Sequence, residues 1–360
     1  MDPRQLTAVI LAGGQGTRLR PLTLTKPKPT VPLLNIPFLA YQLDLLAQHG
    51  ITEVILSCSY LVEEVRRTMG DGAVYGVHLR YAVETEPLGT AGGIRNSVNP
   101  ADSGLVIVLN GDILTDADLG ALLAFHAERT ARVTIYLTRV PDPTRYGLVE
   151  LGDRGRIRDF VEKPDPARVT TDTINAGVYV LDRALLARIP PGRMVSIERE
   201  IFPALVGDGV PCYGWIGSGY WIDIGSPEKY RQAQLDLLAG RVATRVTPAG
   251  PWMGGRWIAD GVTLGPTVTL VSPCVIGAGS RLDPECRVGP NAVLGEDCSV
   301  GRGAVVEGAV LWEQVDVGER ALLRDCIVGS GARVGAGAQI GPGVVLRSDV
   351  AVPDYARLWP

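Results

Sequence analysis

A glycine-rich segment near the start of the chain carries residue types that bind phosphate. Gly13, Gly14 and Gly16 follow a short apolar run that ends at Leu11, and Thr17 comes directly after them. A glycine turn after a buried strand lets backbone N–H groups approach phosphate oxygens closely. The spacing is neither that of a P-loop nor that of a dinucleotide fingerprint. Taken alone, the glycines do not distinguish another kind of phosphate cradle from a simple turn.

Two basic side chains near this turn favour the phosphate interpretation. Arg18 and Lys28 flank the turn, and the sequence between them contains no carboxylate. Such groups neutralise a polyphosphate rather than form a surface ion pair. We therefore predict that this segment binds a polyphosphate.

Two aspartates each end an apolar run further along the chain. Asp112 closes the segment Leu-Asn-Gly-Asp, and Asp223 lies within Tyr-Trp-Ile-Asp-Ile-Gly. A lone aspartate after a strand is more often a helix cap or a turn residue than a metal ligand. Their residue types alone do not assign them a role.

A third group of polar residues lies between residues 146 and 177. Gly147 follows a tyrosine, Glu162 and Lys163 precede a proline, and Asn175 lies close to a second glycine. Each pairs a polar side chain with a strand or a tight turn. By themselves they are better described as an exposed ion pair and a turn asparagine.

Together these motifs resemble those of the sugar-phosphate nucleotidylyltransferases. That family opens with Gly-Gly-x-Gly-Thr-Arg-Leu and carries a later Pro-Lys-Pro, present here at 13–19 and 27–29. The resemblance extends over most of residues 6–240. The segment 196–203 is also similar to one common in mannose-1-phosphate guanylyltransferases, although we interpret its Glu198 as a first-turn residue of a helix capped by Ser196.

The resemblance implies an enzyme that joins a nucleoside triphosphate to a sugar 1-phosphate and releases pyrophosphate. The attacking phosphate is already an anion, so no general base is needed and catalysis depends on positioning and charge neutralisation. By the resemblance, Arg18 and Lys28 hold the triphosphate and stabilise charge on the α-phosphate. Asp112 and Asp223 complete the catalytic set as ligands of Mg²⁺, which takes one or two carboxylates together with phosphate oxygens.

The remaining assignments also follow from the resemblance. The nucleotide-binding residues are Leu11, Gly13, Gly14, Gly16, Thr17, Glu84 and Gly89. Glu162 and Asn175 would bind sugar hydroxyls, Lys163 the sugar phosphate, and Gly147 belongs to the same sugar-phosphate site.

Glu84 predicts the preferred base. It occupies the family position that faces the base edge, where similar thymidylyltransferases carry glutamine. Guanine presents two adjacent donors that an ionised carboxylate accepts together, whereas uracil and thymine present one donor between two acceptors. The expected nucleotide is therefore GTP, and the resemblance to mannose-1-phosphate guanylyltransferases implies mannose 1-phosphate as the expected sugar substrate. The open alternatives are glucose-1-phosphate thymidylyl- or uridylyltransfer, heptose-1-phosphate guanylyltransfer, a backbone amide that reads the base, and a non-catalytic regulatory subunit.

Short apolar runs alternate with segments of helical period from Ala8 to about Leu238. This alternation predicts an α/β, Rossmann-like domain with a mostly parallel sheet, in which ligands bind beyond the carboxyl ends of strands. The loops after Leu11 and Leu109 are therefore the expected site. The predicted domains are a nucleotidyltransferase domain at 1–240, a linker at 241–260 and a second domain at 261–360.

The second domain shows an aliphatic residue at every sixth position, with two shifts of one residue. The sixteen positions are Leu264, Leu270, Ile276, Leu282, Val288, Leu294, Val300, Val306, Leu311, Val317, Leu323, Val328, Val334, Ile340, Leu346 and Val352. A six-residue period predicts a parallel β-helix. It resembles the left-handed hexapeptide-repeat helix, which would give about five coils here and a surface for homo-oligomers.

Composition excludes several other classes. Thirty-five basic and 39 acidic residues give a formal charge of -4, which does not attract nucleic acid. No apolar run is long enough for a membrane span, and the sequence 1–6 lacks the features of a secretory signal, so we expect a cytoplasmic protein.

Cysteine and histidine content excludes two further kinds of site. The six cysteines contain no Cys-x-x-Cys pair and the chain has three histidines, so zinc ligation is not expected and the thiols should be buried and reduced. An acyltransferase on the hexapeptide domain would need a histidine base, but His126 is the last histidine in the chain.

Overall fold

The computed structural model describes residues 6–360, which form two compact units. We call them the sheet unit, which is the chain up to Gln15 together with Leu39–Ile222, and the coil unit, which is Gly16–Phe38 together with Asp223–Pro360. The sequence 1–5, on which part of the localisation prediction depends, lies outside the described residues. The domain boundaries at residues 240 and 260 stay predictions.

The α-helices are α1 (Phe38–Gln48), α2 (Val62–Met69), α3 (Gly89–Ser97), α4 (Leu119–Glu128), α5 (Phe202–Gly207) and α6 (Pro227–Leu238). The strands up to residue 223 are β1 (Leu6–Leu11), β2 (Pro32–Leu33), β3 (Ile36–Pro37), β4 (Glu53–Cys58), β5 (His78–Val83), β6 (Leu105–Asn110), β7 (Ile113–Thr115), β8 (Val133–Arg139), β9 (Gly147–Leu151), β10 (Ile157–Glu162), β11 (Thr173–Asp182), β12 (Cys212–Ile216) and β13 (Trp221–Asp223).

Local sequence explains where several helices begin. The Asp118 carboxylate accepts a hydrogen bond from the Ala121 N–H at the start of α4, at 2.8 Å. Ser226 caps α6, which has a proline in its first turn. The Ser196 hydroxyl likewise accepts from the Arg199 N–H and begins a π-helical turn (Ile197–Ile201), which confirms the predicted cap. Such caps satisfy N–H groups that have no partner inside the helix.

The sheet unit is built on one nine-stranded sheet, and the predicted α/β architecture is confirmed. Its strands run in the order β10-β9-β11-β6-β1-β4-β5, and β8 joins β11 to β12. Within the run β6-β1-β4-β5 all pairs are parallel, whereas β11 and β10 run against their neighbours. Leu11 at the end of β1 lies opposite Asn110 at the end of β6. The two loops singled out from the sequence therefore leave the sheet side by side.

The coil unit contains a parallel β-helix with three sheets. Its strands are β14 (Trp252–Met253), β15 (Arg256–Ile258), β16 (Thr263–Leu264), β17 (Thr269–Leu270), β18 (Cys274–Ile276), β19 (Arg281–Leu282), β20 (Arg287–Val288), β21 (Ala292–Leu294), β22 (Ser299–Val300), β23 (Val305–Glu307), β24 (Val310–Leu311), β25 (Asp316–Val317), β26 (Leu322–Arg324), β27 (Ile327–Val328), β28 (Arg333–Val334), β29 (Gln339–Ile340), β30 (Val345–Leu346), β31 (Ala351–Val352) and β32 (Arg357–Leu358).

The hexapeptide period sets the register of these coils. Leu264 pairs with Leu282 and Leu282 with Val300, so a coil advances by three hexapeptides. Two of the sheets contain six strands each, one more than the predicted number of about five coils. The difference arises at the ends, where Ile258 and Leu358, each six residues beyond the predicted positions, continue the aliphatic rows.

Four cysteines contribute to the core of the coils, as predicted. Cys274, Cys286, Cys298 and Cys326 are buried among the aliphatic rows, and all six thiols of the chain are free. Burial raises the pKa of the Cys298 thiol to about 12, so it stays protonated and unreactive at neutral pH.

None of the helices within residues 6–360 has the length and apolar composition needed to cross a bilayer.

The coil core generates a stability prediction. Leu323 is fully buried, whereas Leu264 in the first coil is 45% exposed. Leu323→Ala should lower the free energy of unfolding by about 2–5 kcal/mol because it removes buried methyl groups and leaves a cavity. Leu264→Ala, the same chemical change, should lower the free energy of unfolding by less than half as much. Urea denaturation followed by circular dichroism measures both, and equal losses would contradict this description of the core.

Candidate active site

The turn after β1 is fixed by backbone contacts to the neighbouring strands. The Ala12 N–H donates to the Ser57 carbonyl at 2.8 Å, and the Gly111 N–H donates to the Leu11 carbonyl at 2.8 Å. The Ser59 hydroxyl donates to the Gly13 carbonyl at 2.7 Å. The sheet therefore holds the start of the glycine segment from both sides, between the ends of β4 and β6.

Gly13 and Gly14 have different surroundings. A Cβ atom on Gly13 would lie 3.4 Å from both the Glu84 Oε1 and the Ser59 Oγ atoms, which is ordinary contact. A Cβ atom on Gly14 would have no protein atom within 4 Å. The packing therefore does not require glycine at position 14. An open, exposed backbone here is consistent with a ligand that approaches the peptide group closely.

Glu84 is a buried carboxylate beside this turn. Its side chain follows β5, and the residue is only 8% exposed. The Ser57 hydroxyl donates to Oε1 at 2.7 Å, and the Leu88 N–H donates to Oε2 at 3.0 Å. A carboxylate has about four lone-pair positions, so both oxygens retain acceptor capacity for a ligand. These two donors hold the carboxylate in one orientation.

Gly89, the other predicted base-binding residue of this segment, has a structural requirement of its own. Its φ is +71°, and a Cβ atom there would lie 2.6 Å from the Val195 carbonyl oxygen. A larger side chain would strain the backbone and clash, and the Ala91 N–H could no longer reach the same carbonyl, to which it donates at 3.0 Å. The sequence did not reveal this contact, because Val195 is distant along the chain.

The rest of the predicted phosphate-binding segment belongs to the coil unit. Gly16 has a φ of +62°, and the Thr23 hydroxyl donates to its carbonyl at 2.8 Å. A short 3-10 turn, Thr17–Leu19, follows, in which Leu19 is buried while Thr17 and Arg18 are exposed. A second 3-10 turn, Lys28–Thr30, begins with Lys28, which is partly buried. Arg18 and Lys28 therefore lie on one segment, each at a turn.

Asp223 lies close to Arg18 within the coil unit. A Cβ atom on Gly225 would lie 2.9 Å from the Asp223 Oδ2 atom and 3.1 Å from an Arg18 guanidinium nitrogen, so a side chain at position 225 would collide with both. Asp223 is 9% exposed and forms an ion pair with the Lys229 ammonium group of α6. The sequence analysis missed Lys229. Its position one turn into a helix after Asp223 was the available signal.

The donor chemistry of the two aspartates fits Mg²⁺. Within residues 6–360 there is no group of three or more histidine, cysteine, aspartate or glutamate side chains arranged to hold a metal. Mg²⁺ does not need such a group, because it takes one or two carboxylates and completes its shell with water and phosphate oxygens. Asp112, partly buried in the sheet unit, and Asp223 in the coil unit supply that kind of ligand. Whether they share an ion stays a prediction.

The predicted sugar-phosphate residues of the sheet unit come together at the start of β9 and the end of β10. A Cβ atom on Gly147 would lie 2.8 Å from the Glu162 Oε2 atom, so this glycine makes room for the carboxylate. The Lys163 ammonium lies 3.9 Å from Glu162 Oε1. Burial raises the pKa of the Glu162 carboxyl, and the charge of Glu198 adds to this effect, while Lys163 opposes it.

Asn175 is linked to Glu198 through hydrogen bonds of the Tyr179 hydroxyl. Its amide donates to the Tyr179 hydroxyl at 2.9 Å, and its carbonyl oxygen accepts from the Gly177 N–H at 2.9 Å. Tyr179 is 3.5 Å from Glu198 Oε1. The Glu198 carboxylate also accepts from the Thr90 hydroxyl at 2.7 Å. Glu198 does lie in the first turn of a helix, but its carboxylate also faces the predicted sugar-binding residues, which the sequence analysis did not anticipate.

Comparison with known proteins identifies the family of the chain. The family model described as nucleotidyl transferase matches residues 7–240. The chain belongs to the nucleotidyl transferase family. A second model, described as the EIF2B subunit epsilon LbH domain, matches residues 254–358. The predicted left-handed β-helix is therefore confirmed, and this nucleotidyl transferase carries its coils after the family domain.

Individual relatives span most of the nucleotidyl transferase. It is 42% identical to mannose-1-phosphate guanylyltransferase of Mycobacterium tuberculosis, over 79% of this chain and 78% of the relative. It is 32% identical to UTP--glucose-1-phosphate uridylyltransferase of Synechocystis, over 90% and 87% of the two chains. The crystal structure of HddC from Yersinia pseudotuberculosis complexed with GMP-PN is 30% identical, covers 64% of this chain and 99% of that chain, and has a TM-score of 0.55.

The open space at Gly14 generates a prediction for the nucleotidyl transferase. Gly14→Ala should leave the melting temperature unchanged but raise KM for the nucleoside triphosphate by about tenfold, because the methyl group occupies space close to a bound phosphate. Gly207→Ala in α5 is the matched control, since a Cβ atom there also has no neighbour within 4 Å. Steady-state kinetics and thermal melting measure both variants. Wild-type kinetics in Gly14→Ala would contradict the phosphate-binding role.

Proposed function

We propose that this protein transfers a guanylyl group from GTP to mannose 1-phosphate, forming GDP-mannose and pyrophosphate. The proposal rests on one structural observation, the buried Glu84 carboxylate held beside the glycine turn by Ser57 and the Leu88 N–H. The relative in Mycobacterium tuberculosis, which bears the name of this activity, supports the same choice of base and sugar.

Guanine is the base whose edge matches an oriented carboxylate. Its ring N–H and exocyclic amine are adjacent donors, and the two oxygens of Glu84 can accept both. Uracil and thymine would turn a carbonyl oxygen toward the carboxylate, and adenine and cytosine place an acceptor beside their amine. An unsatisfied buried group of this kind costs about 1–3 kcal/mol, which corresponds to a preference of roughly 5- to 150-fold.

The proposed reaction is an in-line displacement at the α-phosphorus. A phosphate oxygen of the sugar 1-phosphate attacks, the bond to the β-phosphate breaks, and pyrophosphate leaves with the electron pair. Arg18 and Lys28 neutralise the triphosphate, and Lys163 neutralises the attacking phosphate. Catalysis then consists of orientation and charge stabilisation, so the site needs no histidine base and no nucleophilic side chain.

We propose Mg²⁺ as the cofactor, with Asp112 and Asp223 as its protein ligands. When bound, the ion would neutralise phosphate charge and polarise the α-phosphate. Lys229 forms an ion pair with Asp223 and holds the orientation of that carboxylate.

The sugar is proposed to contact two carboxylates in the sheet unit. Glu162 is the predicted hydroxyl acceptor, and Glu198 lies close enough to raise its pKa. The Asn175 amide donates to the Tyr179 hydroxyl, which in turn donates to Glu198. The Synechocystis relative, whose name specifies UTP and glucose 1-phosphate, favours sugar uridylyltransfer as the second candidate function.

Assembly and location belong to the same proposal. We propose a cytoplasmic homo-oligomer formed through the β-helix. Its first coil leaves Trp252, Met253 and Leu264 each about half exposed, at 51%, 60% and 45%. Exposed large apolar side chains at one end of the stack of coils favour association.

The base preference tests the proposal through Glu84. Wild-type kcat/KM should be at least tenfold higher for GTP than for UTP or dTTP. Glu84→Gln should lower kcat/KM for GTP by at least tenfold and reduce this preference, because an amide offers one acceptor where guanine needs two.

The exposed Glu86, two residues further on, supplies the matched control, and Glu86→Gln should behave as wild type. Melting temperatures report whether loss of the contacts to Ser57 and the Leu88 N–H disturbs folding. The proposed base recognition is wrong if the wild type prefers UTP or dTTP, or if Glu84→Gln retains the full GTP preference.

A further inference from the structure

The segment Gly16–Phe38 presents a positioning problem. It carries Arg18 and Lys28, yet its only helical structure is three 3-10 turns of three residues each. Its strands, β2 and β3, are two residues long and pair only with each other. Turns and strands this short do not hold a conformation by themselves. Side-chain contacts within the coil unit must therefore fix the segment.

The first contact joins the segment directly to a coil. The Lys26 ammonium donates to the Glu313 Oε1 atom at 2.9 Å and lies 5.5 Å from the centre of the Trp312 ring. Burial acts to raise the pKa of Glu313, but the hydrogen bond and charge of Lys26 outweigh it and lower the pKa below its ordinary value. The carboxylate is therefore ionised at neutral pH. A charged hydrogen bond with a cation–π contact is a strong, directional anchor.

The second contact passes through Trp312, which is fully buried. Its indole N–H donates to the Tyr230 hydroxyl at 2.9 Å, and that hydroxyl donates to the Pro32 carbonyl. The Gln234 side-chain NH₂ group donates to the same carbonyl at 2.9 Å, and its side-chain oxygen accepts from the Leu34 N–H at 2.8 Å. The coil and α6 thus hold β2 and the turn that follows it through one hydrogen-bonded network.

The third contact lies further along the segment. The Asn35 amide donates to the Leu294 carbonyl, one coil before Trp312, at 2.6 Å. Lys26 and Asn35 are therefore attached to neighbouring coils, on either side of Lys28 in the sequence. The spacing of those coils is fixed by the parallel hydrogen bonds between β21 and β24.

A short and rigid stretch of backbone joins Lys28 to Lys26, the residue of the first contact. One residue, Pro27, separates it from Lys26, and Pro29 follows it. Each proline fixes its own φ, and Pro27 has φ −66° and ψ 146°. A displacement of Lys26 therefore displaces Lys28 as well, because the backbone between them has little conformational freedom. Misplacement of a charge by about 1 Å can cost a large factor in rate.

We propose that Glu313, with Trp312, is a positioning residue for nucleotidyl transfer: it fixes Lys26, and through Lys26 it places Lys28 against the triphosphate. The coils thus take part in the reaction beyond any role in assembly. This inference rests on the proposed function for its kinetic test, whereas its structural part does not need substrate.

Glu313→Gln tests the inference, since it keeps the shape and removes the charge. We expect kcat/KM for GTP to fall about tenfold while KM for the sugar 1-phosphate changes less than twofold. Hydrogen exchange of peptides from residues 16–38 should become faster without substrate, because the segment loses its anchor. Glu285→Gln, which removes one carboxylate of the exposed coil ion pair with Arg302, is the matched control and should change neither.

Two further variants separate positioning from general damage. The double variant Lys26→Met with Glu313→Gln should lower kcat/KM for GTP no further than either single change, because the two residues act as one unit. Exchange of the two charges, Lys26→Glu with Glu313→Lys, should recover at least half of the lost kcat/KM. A purely structural role would lower the melting temperature and accelerate exchange throughout the coils instead.

The outcomes are distinguishable. Unchanged GTP kinetics and unchanged exchange at 16–38 in Glu313→Gln would overturn the inference, as would exchange that increases equally in all coil peptides. If the wild type does not convert GTP and mannose 1-phosphate, the proposed function fails. The exchange of residues 16–38 would then still decide whether Glu313 anchors the segment.

Discussion

The position of β1 between β4 and β6 is the constraint on which the sheet side of the site depends. Parallel pairing places Leu11 opposite both Ser57 and Asn110, so three chain segments leave the sheet at one edge. The glycine turn, the Ser57 that orients Glu84, and the loop to Asp112 are consequences of that register. A shift of one residue in β1 would turn its side chains to the opposite face and misplace the turn. Ala8 and Ile10 pack in one core cluster and Val9 in another, so such a shift would misfit both.

Gly111 shows how tightly this edge is built. A Cβ atom there would lie 2.5 Å from the Leu11 carbonyl oxygen, the atom that accepts the Gly111 N–H. The glycine before Asp112 is thus required by contact with the neighbouring strand. This glycine lets the chain that carries Asp112 pass beside the turn after β1.

The coils solve a different physical problem. A phosphate-binding loop must leave its backbone open to the ligand, so it cannot bury that backbone in regular structure of its own. The coils are held rigid by rows of buried aliphatic side chains and by parallel hydrogen bonds. Residues 16–38 are fixed against them by side-chain contacts such as those of Lys26 and Asn35.

The sequence predicted those features that repeat or that lie close together along the chain. The hexapeptide period gave the coil register, and the apolar runs before Leu11 and Asp112 gave two adjacent strand ends. It did not reveal contacts between distant residues. Lys26 and Glu313 are 287 positions apart, and nothing in either neighbourhood marks the other. Likewise, the approach of Glu198 to Glu162 depends on how β10 packs against the turn at 197–201, which no local pattern encodes.

The most direct test of the account is the rate of pyrophosphate release with GTP and Mg²⁺ and one sugar 1-phosphate at a time. Mannose, glucose, N-acetylglucosamine and heptose 1-phosphates form the panel, and mass spectrometry identifies the nucleotide sugar. The account predicts GDP-mannose as the product, with kcat/KM for mannose 1-phosphate at least tenfold above the others and no reaction in excess EDTA. Faster release with UTP and glucose 1-phosphate, or no release with any pair, would contradict it.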